Sequence, residues 1–364
     1  MYFAPMKWRI WLLPFSLLYG VVIIVRNILY DLRILKSKRF SVPVISIGNL
    51  TAGGSGKTPM TEHIIRLLSP QYRVATLSRG YGRKTSGFVL VSATTNASLI
   101  GDEPMLYHTK YKEVTVATSE SRREGIEKLI SLEKKPQVIL LDDAYQHRSV
   151  KPGLNILLIE YETIFQNKFL LPAGNFREPF GAKSRADVII VTKCPPSIDD
   201  NRRIKAQKKI KPSFHQQVWF SYLVYDELKP FASYWKKEIL SAPETFGKNT
   251  RVLLLTGIAN PLPLKIHVTR SYTLVRLLRY ADHYDFTETD IKRMRKIFSN
   301  IVGEEKIILT TEKDAMRLMK ENLIPLLSEL PVYVLPVKVK FLQKYSETSD
   351  NTILEYVRKN SANS

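Results

Sequence analysis

The hydrophobic pattern opens with one long block. Ile10 to Val25 is apolar apart from Pro14, Ser16 and Gly20. Beyond it, apolar residues come in short runs that predict buried strands at Val42 to Ile47, Arg73 to Ser78, Val114 to Thr118, Val138 to Leu141, Leu154 to Ile159 and Asp187 to Thr192. Helical periodicity fills the gaps, up to Leu68, at Glu103 to Tyr111, at Ser119 to Leu132 and at Pro196 to Ile210. Strands alternating with helices predict an α/β fold, a parallel sheet covered by helices on both faces.

From about Phe214 the texture changes. Val218 to Val224 and Lys229 to Tyr234 read as antiparallel strands. A second series follows: strand Val252 to Thr256, helix Thr287 to Phe298, strand Lys306 to Thr311 and helix Asp314 to Lys320. Strand Val332 to Val339 and a helix at Ile353 to Lys359 close the chain. The expected organisation is an N-terminal helix over 1–36, a P-loop domain over 37–212 and a smaller α/β domain over 213–364. No internal repeat is evident.

The first apolar block is shorter than the roughly 20 residues that comfortably span a bilayer. Lys7 and Arg9 precede it, and Arg26, Arg33, Lys36, Lys38 and Arg39 follow it. A cleaved signal peptide would need small residues after the block, where Val21 to Leu29 offers bulky ones and Arg26. A buried core helix is not normally bracketed by so many cations. The pattern predicts a helix lying in, or partly crossing, the membrane interface, with Trp8, Trp11 and Tyr19 at headgroup depth.

Charge adds to this picture. Lys and Arg number 55 against 34 Asp and Glu, a formal net charge of +21. Such a surplus suits an anionic partner: nucleic acid, lipid headgroups or a phosphorylated substrate. The basic residues are dispersed and no nucleic-acid-binding signature is present, so an anionic membrane surface is expected and nucleic acid is not. The single cysteine, Cys194, excludes an intrachain disulfide and fits a reducing compartment.

The densest chemistry follows the first strand. Thr51-Ala52-Gly53-Gly54-Ser55-Gly56-Lys57-Thr58 stands between that strand and a helix opened by Pro59. Strand, glycine-rich loop, helix is the setting of a P-loop. The glycines let backbone N–H groups converge on phosphate oxygens, and the helix N-terminus adds partial positive charge. Lys57 would reach the terminal phosphates and the Thr58 hydroxyl would ligate Mg²⁺. Thr51 stands where the usual pattern has glycine. Asp142-Asp143, at the end of a buried strand, occupies the place of the acid that holds Mg²⁺; an ordinary cap is the alternative without the P-loop.

Together the motifs resemble one family, the tetraacyldisaccharide 4′-kinases of lipid A synthesis. The matching pieces are Gly48-Asn49-Leu50 with the P-loop, Ser78 to Arg83, Gly101-Asp102-Glu103-Pro104, Asp142 to His147, Leu171 to Gly174 with Arg177-Glu178-Pro179, Thr256 to Pro261, Asp282 to Phe286 and Thr310 to Ala315. They run in order over most of the chain. Ala144-Tyr145 stands where the family more often has Gly-Phe.

The resemblance implies ATP and Mg²⁺ as cofactors. It implies transfer of the ATP γ-phosphate to the 4′-hydroxyl of an acylated disaccharide lipid, a glucosamine disaccharide 1-phosphate. It implies a two-domain enzyme whose active site lies between the domains; a monomer at the cytoplasmic face of a bacterial inner membrane is expected. By matching positions Asp102 is the general base and His283 its partner. Without the resemblance, Asp102 would read as a helix cap and His283 as a structural histidine. Arg79 and Arg83 are candidates for substrate phosphate, with Lys84 beside them. Glu178 is a further candidate carboxylate for Mg²⁺, with a structural role as the alternative, and Lys193 and Lys313 flank the site. The rival reading is a membrane-recruited P-loop ATPase switch acting through protein partners. Such switches carry a lysine where this chain has Ala52.

Overall fold

In the computed structural model, which describes residues 7–235 and 246–361, the apolar runs become strands of two separate sheets. The strands in chain order are β1 (Val44–Asn49), β2 (Val74–Ser78), β3 (Val89–Leu90), β4 (Thr115–Thr118), β5 (Val138–Asp142), β6 (Leu154–Glu160) and β7 (Val188–Thr192). They continue as β8 (Gln217–Tyr225), β9 (Lys229–Pro230), β10 (Arg251–Thr256), β11 (Thr273–Arg279), β12 (Lys306–Thr311), β13 (Val332–Leu335) and β14 (Val337–Phe341). The helices are α1 (Leu13–Asp31), α2 (Lys57–Leu68), α3 (Ala97–Ile100), α4 (Asp102–Lys110), α5 (Arg122–Ile130) and α6 (Asp200–Ile210). After them come α7 (Leu262–Ser271), α8 (Glu288–Ser299), α9 (Glu312–Leu318), α10 (Ile324–Leu327) and α11 (Gln343–Ser361).

The larger sheet has the order β14-β8-β7-β6-β1-β5-β2-β4-β3, parallel except at its two edges. β1, β2, β5 and β7 are buried at every position, as central parallel strands covered on both faces must be. Against them α2 buries Met60, Ile64, Ile65 and Leu68, a helical stripe. The smaller sheet has the order β11-β10-β12-β13-β9.

Sheet membership departs from the expected division at residue 213. β8 pairs parallel with β7, and β14 pairs antiparallel with β8, so both belong to the larger sheet. α11 follows β14, burying Ile353 and Val357 in the core beneath α2. The smaller sheet therefore occupies an internal stretch, entered after Tyr225 and left at Pro336. The run expected as one strand from Val332 to Val339 is two. Pro336 has no N–H to give a ladder, and there the chain changes sheets.

Other differences have local causes. In Lys229 to Tyr234 only the first two residues pair, antiparallel to β13, and a 3₁₀ turn follows Pro230. β11 escaped notice because Arg276 and Arg279 interrupt its apolar run, as an edge strand allows. α7 escaped because it buries only Leu264 and Val268.

The N-terminal helix is longer than the apolar block suggested. Arg9–Asp31 forms 23 residues of helix, long and apolar enough to cross a membrane by length and composition. Polar residues do not end it, because they bond to the body: Arg26 donates to Gln146 O at 2.6 Å and Asn27 to Glu178 Oε2 at 3.0 Å. The helix touches the body through small residues. Ser16 Oγ donates to Leu170 O at 3.0 Å, and a Cβ on Gly20 would lie 2.9 Å from Leu170 Cδ1. Phe15, Leu17, Leu18, Val21, Val22 and Val25 are exposed on it, as is Trp11. The side chains of Lys7 and Trp8 lie outside the described residues.

Candidate active site

The phosphate loop forms where β1 ends. Gly48 is required there: a Cβ would stand 2.7 Å from Tyr145 Cβ. Gly53 and Gly56 take φ values of 115° and 85°, which L side chains rarely adopt, and Gly56 directly precedes α2. Added Cβ atoms at Gly53 and Gly54 would meet nothing within 4 Å, so the loop faces open space. The buried Ser55 Oγ has no hydrogen-bond partner, an orphan that a phosphate oxygen would satisfy. Lys57 Nζ donates to Asn49 Oδ1 at 3.2 Å and lies 3.6 Å from Asp143 Oδ1. Thr58 is buried in the first turn of α2, and Thr51 and Ala52 are tethered to the 170–178 loop, with Ala52 N donating to Asn175 O at 2.7 Å.

The two aspartates after β5 are held differently. Asp142 is buried; Tyr107 donates to its Oδ2 at 2.8 Å and Thr61 to its Oδ1 at 3.5 Å. Burial, then the Asp143 charge, push its carboxyl up to about 6. Asp143 has φ of 50°, a conformation uncommon outside glycine. Arg177 Nη1 lies 3.0 Å from each of its oxygens. Burial would raise this carboxyl too, but Lys57 and Arg177 outweigh it and hold Asp143 below the usual range. A steady anion thus stands beside the P-loop lysine. Among the described residues no group of three or more His, Cys, Asp and Glu could hold a metal by itself. That suits Mg²⁺, which keeps its waters and is bound through one or two carboxylates and substrate phosphates.

The second constellation is built by α4 and the smaller sheet. Asp102 opens α4 after Gly101, whose φ is 94°. His283 Nδ1 lies 2.9 Å from Asp102 Oδ2, and Arg317 Nε donates to that same oxygen at 2.7 Å. Arg317 is itself anchored, donating to Gly257 O at 2.9 Å and Asp314 Oδ1 at 3.1 Å. His283 has φ of 57° and its ring centroid lies 5.2 Å from that of Tyr81. The hydrogen bond to Asp102 raises the His283 pKa above its ordinary value, against burial and Arg317. One helix joins both constellations, since Asp102 and Tyr107 lie on α4 about 7.5 Å apart along its axis.

Some expected residues are placed otherwise. Glu178 is fully buried; its Oε2 lies 2.8 Å from Arg185 and accepts from Asn27 of α1 at 3.0 Å, while its Oε1 has no hydrogen-bond partner. The Arg83 side chain is buried and bonded to Thr118, Glu120 and Gly87 O, which leaves it a structural part. Arg79 is exposed and makes no hydrogen bond or ion pair among the described residues. Lys193 follows β7 with φ of 55° and bonds Glu160 at 3.3 Å; the preceding Thr192 donates to Ser55 O of the loop at 2.8 Å. Lys313 pairs with Glu103, and its charge outweighs burial to pull that carboxyl down to about 2.

Sequence reasoning missed Arg317, Tyr107, Arg177, Asn49 and Arg122. Arg122 is buried, donating to Ser119 O at 2.5 Å, and burial lowers its pKa to about 10. Asn49 and Arg177 stood inside quoted motifs without a role. Helical spacing could have flagged Arg317, three positions after Asp314.

Comparison with known proteins agrees with this geometry. The chain matches the family described as tetraacyldisaccharide-1-P 4′-kinase over residues 8–357. It is 45% identical to the tetraacyldisaccharide 4′-kinase of Bacteroides thetaiotaomicron, over 97% of this chain and 94% of that one. It is 43% identical to the protein of that name from Flavobacterium johnsoniae, over 96% and 97%. A crystal structure of LpxK from Aquifex aeolicus, described as an "apo" form in complex with ATP, is similar with a TM-score of 0.71. Its identity is 32%, covering 96% of this chain and 99% of that one. The chain belongs to the tetraacyldisaccharide-1-P 4′-kinase family.

Proposed function

We propose that this protein transfers the γ-phosphoryl group of ATP to the 4′-hydroxyl of a tetraacyldisaccharide 1-phosphate, with Asp102 taking the hydroxyl proton. The observation that carries this reading is the pairing of an open phosphate loop with a carboxylate–histidine–arginine cluster on a helix that also contacts Asp142. The ATP-bound Aquifex aeolicus neighbour supports the choice of nucleotide.

The loop amides from Gly53 to Thr58 and the Lys57 ammonium hold the phosphates and take up charge on the leaving oxygen. Asp102 Oδ2 already accepts from His283 and Arg317, which leaves Oδ1 for the sugar hydroxyl. As the O–P bond forms and the bond to the β-phosphate oxygen breaks, the proton passes to that carboxylate. His283 spreads the charge. Thr58, Asp142 and Asp143 would hold Mg²⁺, which when bound neutralises the phosphate oxygens. Glu178, whose buried Oε1 has no partner, stays a further candidate carboxylate for Mg²⁺. Exposed Arg79 is the candidate for a substrate phosphate, whereas Arg83 is committed elsewhere.

The exposed apolar face of α1, flanked by Arg33, Lys36, Lys38 and Arg39, supports seating on an anionic membrane at its cytoplasmic face. Three units follow from sheet membership: the helix through residue 36, a nucleotide unit of 37–225 with 337–361, and a second unit of 226–336.

Incubation of the purified protein with labelled ATP and the acylated disaccharide 1-phosphate tests the reading. Label on the 4′-oxygen is the expected result. Folded protein that hydrolyses ATP without labelling the lipid, or responds only to a protein partner, would overturn it in favour of the ATPase switch.

A further inference from the structure

Behind the active site, a second charged cluster joins the two sheets. Lys110, the last residue of α4, has its Nζ 2.6 Å from Glu312 Oε1 and 2.7 Å from Glu62 Oε1. Glu62 lies on α2, the helix of the phosphate loop, and Glu312 opens α9, the helix that carries Arg317. All three side chains are largely buried, at 15, 2 and 8% exposure for lysine, Glu62 and Glu312.

The surroundings complete the cluster. Tyr234 donates to Glu312 Oε1 at 3.2 Å, and Val337 N, at the chain's return to the larger sheet, donates to Glu312 Oε2 at 3.3 Å. Arg66 stands 4.0 Å from Glu62 Oε2 and donates to Tyr111 OH at 3.0 Å. Burial, followed by the facing Glu312, pushes the Glu62 carboxyl up to about 7. Two carboxylates and one ammonium in a low-dielectric site are expensive to gather.

α4 is thereby held to α9 through both of its ends. Asp102 meets Arg317 at the first residue, and Lys110 meets Glu312 at the last, about 12 Å further along the helix axis. The Asp102–His283–Arg317 contact spans two sheets that have no strand in common, so its geometry depends on how α9 sits on α4. We infer that Lys110 is a positioning residue, a buried clamp between Glu62 of the nucleotide unit and Glu312 of the second unit that holds Asp102, His283 and Arg317 in register. This rests on Asp102 being the base.

Glu312→Gln separates the clamp from general stability. It leaves the Lys110–Glu62 pair inside the nucleotide unit and keeps an oxygen at the Oε1 position for Tyr234. It removes the ionic tie to α9 together with the bond from Val337 N to Oε2. With labelled ATP and the disaccharide acceptor, Glu312→Gln and Lys110→Met are expected to lower kcat roughly 10- to 100-fold, with KM for ATP within about twofold of wild type. Glu62→Gln, which spares the tie to α9, is expected to keep kcat within about threefold. Asp102→Asn runs alongside: if it keeps full turnover, the base assignment fails, not the clamp alone. A melting curve checks each variant, and if Lys110→Met does not fold, Glu312→Gln decides. Wild-type kcat in folded Glu312→Gln beside an inactive Asp102→Asn would overturn the clamp. So would equal losses in Glu62→Gln and Glu312→Gln, which mark a structural role.

Discussion

His283 Nδ1 lies 2.9 Å from Asp102 Oδ2, although 181 positions separate the two residues and each belongs to a different sheet's unit. The contact exists only when both units are folded and docked. Replacing Asp102 by Asn or His283 by Ala should lower kcat on the order of 10²- to 10⁴-fold for Asp102, less for His283, because a sugar hydroxyl then keeps its proton. ATP affinity, measured by calorimetry, should hardly change. Near-wild-type kcat in folded protein would dispose of the assignment.

The same contact has a pH signature. Because the Asp102 bond raises the His283 pKa in the folded state, the imidazolium stabilises the fold. That contribution is fully present below the ordinary value of 6.5 and is lost as pH rises through the higher folded value. His283→Ala should remove this slope. Urea midpoints of wild type and variant, followed from below pH 6.5 upward, should converge with rising pH; parallel curves would refute the linkage.

Lys57 is placed by Asn49 and Asp143 before any nucleotide arrives. Lys57→Met should weaken ATP binding and lower product formation by a factor on the order of 10² or more. The fold should survive, since Asp143 keeps Arg177 as a partner. Retained ATP affinity and turnover would remove the P-loop from the mechanism.

Arg317 contributes to stability as well as to the site. Its loss would leave buried Asp314 without its cation and buried Asp102 with His283 alone. Arg317→Met should cost about 3–5 kcal/mol in urea denaturation. In the Asp102→Asn background the further cost should shrink by roughly 0.5–3 kcal/mol, as contacting residues couple. Strict additivity would show that the pair does not act together.

The exposed face of α1 offers a test of membrane seating. Changing Phe15, Leu18 and Val22 to Ser removes apolar side chains that touch solvent, so melting should be unaltered. Flotation with anionic vesicles should fall markedly, since each large apolar residue is worth about 1.5–3 kcal/mol when buried. Unchanged flotation would locate the membrane contact elsewhere. Removing the whole helix is a poorer experiment. Ser16, Tyr19 and Asn27 brace the 170–178 loop, which in turn bonds Ala52 and Asp143.

Local patterns made the nucleotide half legible. β1, the loop and α2 are continuous in sequence, and their apolar periodicity and glycines report directly on the P-loop. What stayed hidden depends on distant pairing. Nothing near Gln217–Tyr225 or Val337–Phe341 announces that these strands join the larger sheet, because a strand's partner is not written in its own period. Arg317, Arg83 and Glu178 show the same limit for charges. Each is a charged residue in a plausible place, and only the fold decides that the first meets Asp102 while the others pair with Glu120 and Arg185.

The return of β14 and α11 to the larger sheet sets an order of assembly. As the ribosome delivers the chain, the smaller sheet's strands are all present before residues 337–361 emerge. The nucleotide unit still lacks an edge strand then, along with the Ile353 and Val357 that fill its core and the Tyr356 hydroxyl that bonds β1 at Val44. A chain that stops before residue 337 therefore carries a complete phosphate loop on an unfinished scaffold, so nucleotide capture is expected to need residues 337–361.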